Sequence, residues 1–205
     1  MAIDKMNQEP SELSTIIEAL RTPFTYLTFF VLAVWAWASE PASALNWLLP
    51  FAFLLSLMIL IDLRHMILPD TLNAVLLVSG LLLHFLWFDS LLLSALGAGL
   101  GFILFFFIFY ITYIIKGEPA MGFGDVKFIT ALGAWVDVVG VPLILIYATI
   151  LALSFIVLRA IKEKSFQNKP FAYGPFLAIA GWLSMLYTFE SWKIIETLRA
   201  SMIGA

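Results

Sequence analysis

The sequence predicts an all-α, polytopic integral membrane bundle of about seven transmembrane helices with a cytoplasmic N-terminus. Three observations carry this. Of the 205 residues, 62% are hydrophobic and only 12% charged, with a mean hydropathy of +1.01. An average soluble domain carries about 25% charged residues, and a chain of this size has too little interior to hide so much apolar surface, so lipid must cover the rest. Seven apolar segments follow one another with short gaps, and none of the gaps is long enough for a soluble domain. The basic residues, finally, partition strongly between the two sides of that seven-segment arrangement.

Residues 1–22 form a polar lead. Pro10-Ser11 precedes Leu13, Ile16, Ile17 and Leu20, whose spacing predicts a short amphipathic helix on the membrane surface. The lead is too polar for a signal peptide, so the first apolar segment is expected to remain as a span. The bundle occupies 23–189, with segments near Pro23–Ser39, Ala44–Ile61, Leu72–Phe88, Leu91–Ile115, Val126–Val139, Val141–Leu158 and Phe171–Phe189. The fifth is short and is expected to begin at or before Asp125. In the fourth, Gly97 and Gly101 have the four-residue spacing that lets helix backbones approach closely in lipid, within the chain or between two copies. Turns on the far side fall at Glu40 to Ser43, Asp89-Ser90 and Gly140. Residues 190–205 place Trp192, Ile195, Leu198 and Met202 on one face, as an interfacial helix would.

With the N-terminus inside and all seven segments crossing, Lys5, Arg21, Arg64, Lys116, Lys127, Arg159, Lys162, Lys164 and Lys169 fall inside. Only Lys193 and Arg199 fall outside, nine against two of the 11 basic residues. Losing one span would spoil the partition downstream of it.

The chain has no cysteine, which excludes disulfides, a thiolate nucleophile and Cys-ligated zinc. Its two histidines, His65 and His84, lie far apart, and no metal site is expected. Glu40, Asp89 and Asp137 map to far-side turns, and Asp4, Glu9, Glu12 and Glu18 to the polar lead, where water is expected to reach them. The acids that call for an account are Asp62, Asp70, Glu118 and Asp125.

Asp62 ends the apolar run Leu57-Met58-Ile59-Leu60-Ile61 in a segment arriving from the far side. Asp125 opens a segment starting from the cytoplasmic side, so both carboxylates are expected at one depth on one face. An ionised Asp at a helix centre costs about 2.5–3.5 kcal/mol on insertion scales, and less towards the interface. Two neighbouring carboxylates in a poorly hydrated site cannot easily both ionise, so one is protonated and one charged over some pH range. That mixed state suits amide hydrolysis: the ionised member takes a proton from water while the other donates to the scissile carbonyl. Gly122 and Gly124, just before Asp125, allow unusual backbone angles and close approach of an extended strand. Gly-x-Gly-Asp is a weak string alone; its place after a cytoplasmic loop, level with Asp62, strengthens it. The alternative reading is a transporter or ion channel using the two acids as ion sites.

At these residues the chain resembles the type IV prepilin peptidases, members of the Gly-x-Gly-Asp class of intramembrane aspartyl proteases. Three stretches carry the resemblance in order: Ile61-Asp62-Leu63-Arg64-His65-Met66-Ile67-Leu68-Pro69-Asp70; Gly117-Glu118 with Met121-Gly122-Phe123-Gly124-Asp125-Val126-Lys127; and Tyr173-Gly174-Pro175-Phe176-Leu177 with Ala180-Gly181. The resemblance implies that Asp62 and Asp125 are the catalytic pair. It makes Asp70 and Lys127 supporting residues, and Tyr173-Gly174-Pro175 a loop beside the site. It implies no cofactor and no nucleic acid partner. The implied substrate is a prepilin or pseudopilin with a short basic leader before an apolar helix, cleaved at the cytoplasmic face of the bacterial inner membrane. Many family members carry a paired-cysteine methyltransferase domain near the N-terminus. Without cysteine and with a 22-residue lead, this chain is expected to be a peptidase-only form.

Overall fold

A computed structural model describes residues 11–40, 42–119, 121–163 and 171–203, without the side chains of 42–43 and 189–203. Local signals start the first two helices. The Ser11 hydroxyl caps α1 (Glu12–Arg21) by accepting from Ser14 N at 3.2 Å. Pro23 opens α2 (Pro23–Ser39) at a position where no helical N–H is needed. α1 meets α2 at a 71° bend. Two bonds hold that bend, from Thr25 Oγ1 to Ala19 O and from Tyr26 OH to Leu20 O, both 2.7 Å. α3 (Ala42–His65) is followed by a short loop, and α4 (Asp70–Leu83) runs into a π-helical turn, His84–Phe88. α5 (Leu91–Lys116) stops where Gly117 takes φ 77°, its N–H bonding to Tyr113 O. α6 (Phe123–Glu163) and α7 (Gly174–Ile203) complete the chain.

α6 is a hairpin of two helical arms, not one rod. Asp137 breaks it with φ 57° and ψ −170°. Tyr173 reaches both Asp125 and Thr149, twelve residues before and twelve after that break. A straight helix would separate those two by about 36 Å, so the arms lie side by side. The turn was expected at Gly140 and falls instead at Asp137. Part of the reason is a cap: Asp137 Oδ1 accepts from Val139 N at 2.7 Å at the start of the second arm. This backbone conformation is nearly confined to glycine, and close packing surrounds it, because a Cβ on Gly97 would come within 2.7 Å of Asp137 O. Asp137 and Glu40 are buried, 2% and 8% exposed, and not the water-bathed turn acids that their position in the chain suggests.

Each of the seven apolar segments corresponds to a helical segment, with α6 supplying two. Among the described residues, four helices are long and apolar enough to cross a membrane on their own, five if the bent α1–α2 pair counts as one span. α2 and the apolar part of α7, Gly174–Thr188, fall short of the roughly 20 residues of a full straight crossing. α7 continues without a break to Ile203; the interfacial face proposed for Trp192, Ile195, Leu198 and Met202 concerns side chains outside the described residues.

Three aromatic rings from three helices form the centre. Phe51 of α3 stacks on Trp135 of α6 with centroids 4.3 Å apart and faces Trp182 of α7 at 6.1 Å. Trp135 Nε1 donates to Leu76 O at 2.8 Å and so ties α4 to the same centre. Gly97 and Gly133 mark the crossing of α5 and α6, where a Cβ on either would collide with the other's carbonyl oxygen. The four-residue spacing thus serves packing within the chain, whereas Gly99 faces open space. On the outside, Phe107 is 61% and Ile115 74% exposed, among many others. Apolar surface on this scale has lipid as its solvent: the chain is an all-α membrane bundle.

Candidate functional site

Asp62 lies in the last turn of α3, where the residues from Leu57 to Ile61 are all buried. Met66 N closes that turn on Asp62 O at 2.9 Å, and Met66 itself takes φ 53°. A methionine in the left-handed region is unusual. Here it swings Ile67 and Leu68 across the end of the bundle, before Pro69 stops the loop and α4 begins at Asp70.

Asp125 lies in the first turn of α6, its N–H bonded to Gly122 O at 3.1 Å. A helix start favours an anionic side chain. Asp62 and Asp125 are 5% and 8% exposed, and they line one cavity of about 230 Å³. Its other walls are Met66, Ile67, Leu68, Asp70, Gly122, Phe123, Gly124 and Lys127. The two carboxylates are close enough for the charge on Asp62 to act directly on Asp125.

A third element closes the arrangement. Gly174 opens α7, and its free amide donates to Asp62 Oδ2 at 2.8 Å. Pro175 follows in the first turn, where its missing N–H costs nothing. Tyr173, just before, lies near enough to sense the charge on Asp125 and approaches Thr149 on the second arm of α6. At the mouth, Lys127 Nζ reaches both carboxylate oxygens of Asp70, at 2.6 and 2.7 Å, and lies 5.3 Å from the centre of the Phe123 ring.

Of the residues read from the sequence, Asp62, Asp70, Gly122, Gly124, Asp125 and Lys127 thus line one cavity, and Gly174 and Tyr173 lie beside its two acids. Two details differ from expectation. Neither Gly122 nor Gly124 takes a positive φ; among the described glycines only Gly117 does. Gly124 packs closely instead, because a Cβ there would lie 3.2 Å from Leu68 Cβ. The walls Met66, Ile67, Leu68 and Phe123 carry no chemical signal that would have marked them. His65 turns away from the cavity to Glu18, 3.5 Å from it, and Glu118 is exposed and outside the lining.

This geometry, two buried acids from two helices held by a third, coincides with a match at the level of family. Residues 48–157, more than half of the chain, match the type IV leader peptidase family. The chain belongs to that family. The leader peptidase match includes Asp62, Asp70, Asp125 and Lys127, and ends before Tyr173-Gly174-Pro175. Among relatives, the chain is 33% identical over 152 residues to a prepilin leader peptidase/N-methyltransferase of Aeromonas hydrophila, covering 74% of this chain and 50% of that one. It is 37% identical over 133 residues to the protein of the same name from Pseudomonas aeruginosa, covering 63% and 45% respectively. It is 35% identical over 143 residues to the leader peptidase HopD of Escherichia coli, covering 69% of this chain and 92% of that one. The chain spans about half the length of the prepilin leader peptidase/N-methyltransferases it matches. No solved structure matches it.

Proposed function

We propose that this chain is an intramembrane aspartyl endopeptidase that removes the basic leader from prepilins or pseudopilins, with Asp62 and Asp125 as its catalytic pair. The observation that carries the reading is the single cavity in which both buried carboxylates meet at one end of a membrane bundle. The family membership and the names of the relatives support the substrate class.

In this reading one carboxylate, ionised, takes a proton from a water in the cavity as the water attacks the scissile carbonyl carbon. The other, protonated, donates to the carbonyl oxygen; as the tetrahedral intermediate collapses, the first carboxylate passes the proton it took from water to the leaving amide nitrogen and the second recovers its own from the intermediate's hydroxyl. Gly174 N–H holds Asp62 through Oδ2, so its orientation does not depend on the substrate. The cavity has several times a water's share of liquid volume, about 30 Å³, which leaves room for a peptide group and the attacking water. The partition of basic residues supports a cytoplasmic mouth in the bacterial inner membrane, where a leader is met without crossing the bilayer. We assign 1–22 to a cytoplasmic interfacial segment, 23–189 to the peptidase bundle and 190–205 to an interfacial end.

The transporter reading has less support. Between the cavity and Asp137 at the other end, the helices carry no acid to continue an ion path. Purified protein in detergent, incubated with a precursor whose basic leader precedes an apolar helix, should yield one product whose new N-terminus, read by mass spectrometry, lies at the leader–helix junction. An uncleaved precursor, or cleavage within the helix, would overturn the assignment.

A further inference from the structure

The start of α4 lacks a cap of its own. A helix begins with unpaired amides, and Pro69, in the capping position, makes no side-chain bond to them. The acceptor comes from elsewhere in the chain. Glu12 Oε1 accepts from Asp70 N at 3.0 Å, and Glu12 Oε2 from Thr71 N at 3.4 Å, across 58 and 59 residues. A carboxylate on free helical amides combines a charge-assisted bond with a favourable helix dipole.

The helix that carries Glu12 is itself anchored. Its far end is fixed by the two bonds across the α1–α2 bend. One turn before Arg21, Glu18 pairs with Arg64 at 2.8 Å and His65 at 3.5 Å, on the last turn of α3. α1 therefore bridges the two ends of the loop that forms the cavity wall, gripping α3 just past Asp62 and α4 at Asp70. From Asp70 the connection continues through Lys127 to the helix that carries Asp125.

We propose that Glu12 is a positioning residue for the peptidase reaction. It sets the start of α4 and, through the Asp70–Lys127 pair, the first turn of α6 relative to Asp62. The proposal rests on the peptidase reading above and adds to it a residue that touches neither substrate nor reacting atoms.

The test is a double-mutant cycle on the full-length protein in detergent, with a prepilin as substrate and thermal unfolding as a check on folding. Glu12→Ala should lower kcat about fivefold, the factor that corresponds to the roughly 1 kcal/mol of a helix cap, with KM within about twofold. Glu12→Gln, which keeps a neutral acceptor, should recover part of that loss. The decisive comparison is Glu12→Ala/Asp70→Ala against Asp70→Ala alone, which should agree within about twofold: Asp70→Ala keeps the amide that Glu12 holds but removes the carboxylate that carries its effect to Lys127 and the first turn of α6. An unchanged kcat in Glu12→Ala, or losses that multiply in the double variant, would overturn the proposal. If Glu12→Ala does not fold, the same cycle is read with Glu12→Gln. Failure of the wild-type protein to cleave would instead overturn the peptidase reading and remove the Glu12 proposal with it.

Discussion

Gly174 N–H donates to Asp62 Oδ2 at 2.8 Å, a bond between residues 112 positions apart. It ties the first amide of α7 to the acid at the end of α3, and it leaves no space for a side chain. A Cβ on Gly174 would lie 2.7 Å from Asp62 Oδ2 and 3.0 Å from its carboxyl carbon. The same residue thus supplies the donor and the room for the acceptor.

Gly174→Ala should therefore displace the Asp62 carboxylate while leaving the bundle folded. A misplacement of about 1 Å can cost about a hundredfold in rate. The expected result is a loss of kcat of about that size in a prepilin cleavage assay, with the thermal midpoint little changed.

Gly122 and Gly124 separate two kinds of effect. A Cβ on Gly124 would crowd Leu68 Cβ at 3.2 Å, so Gly124→Ala should lower both thermal stability and activity. A Cβ on Gly122 would have ordinary contact, its nearest neighbour being Asp125 Oδ2 at 3.6 Å. Gly122→Ala should keep its stability and lose activity, because the methyl group occupies space in front of Asp125. Paired thermal melts and cleavage rates check the distinction.

How much of this could be read from the sequence depends on how local each cause is. Ser11 and Pro23 act on their neighbours in the chain, and α1 and α2 start where those residues put them. The apolar segments follow from solvent preference, which is also legible residue by residue. The break at Asp137 is different, because its backbone conformation coexists with the absence of a side chain on Gly97, forty positions earlier. Met66 at φ 53° could not be anticipated, since nothing about methionine favours that region. The Glu12 bond to α4 depends on the 71° bend and on Glu18, so it exists only once α1 has packed.

The α5–α6 crossing gives a prediction about folding and not about chemistry. Gly97→Ala would push a methyl group into the Gly133 carbonyl and the Asp137 backbone. Overpacking of this kind costs about 1–3 kcal/mol, so the thermal midpoint should fall by several degrees. Gly99→Ala, two positions away with nothing within 4 Å of its Cβ, should melt as the wild-type protein does.

The central claim is that Asp62 and Asp125 act as a pair, and the most direct measurement is prepilin cleavage by Asp62→Asn and Asp125→Asn, each purified and shown by thermal melting to be folded. An amide has the shape of a carboxyl group but can neither take the proton from water nor deliver one to the carbonyl oxygen. The account predicts that each single variant loses cleavage to the limit of detection, and that the double variant is no worse. Retained turnover by either folded variant would contradict it.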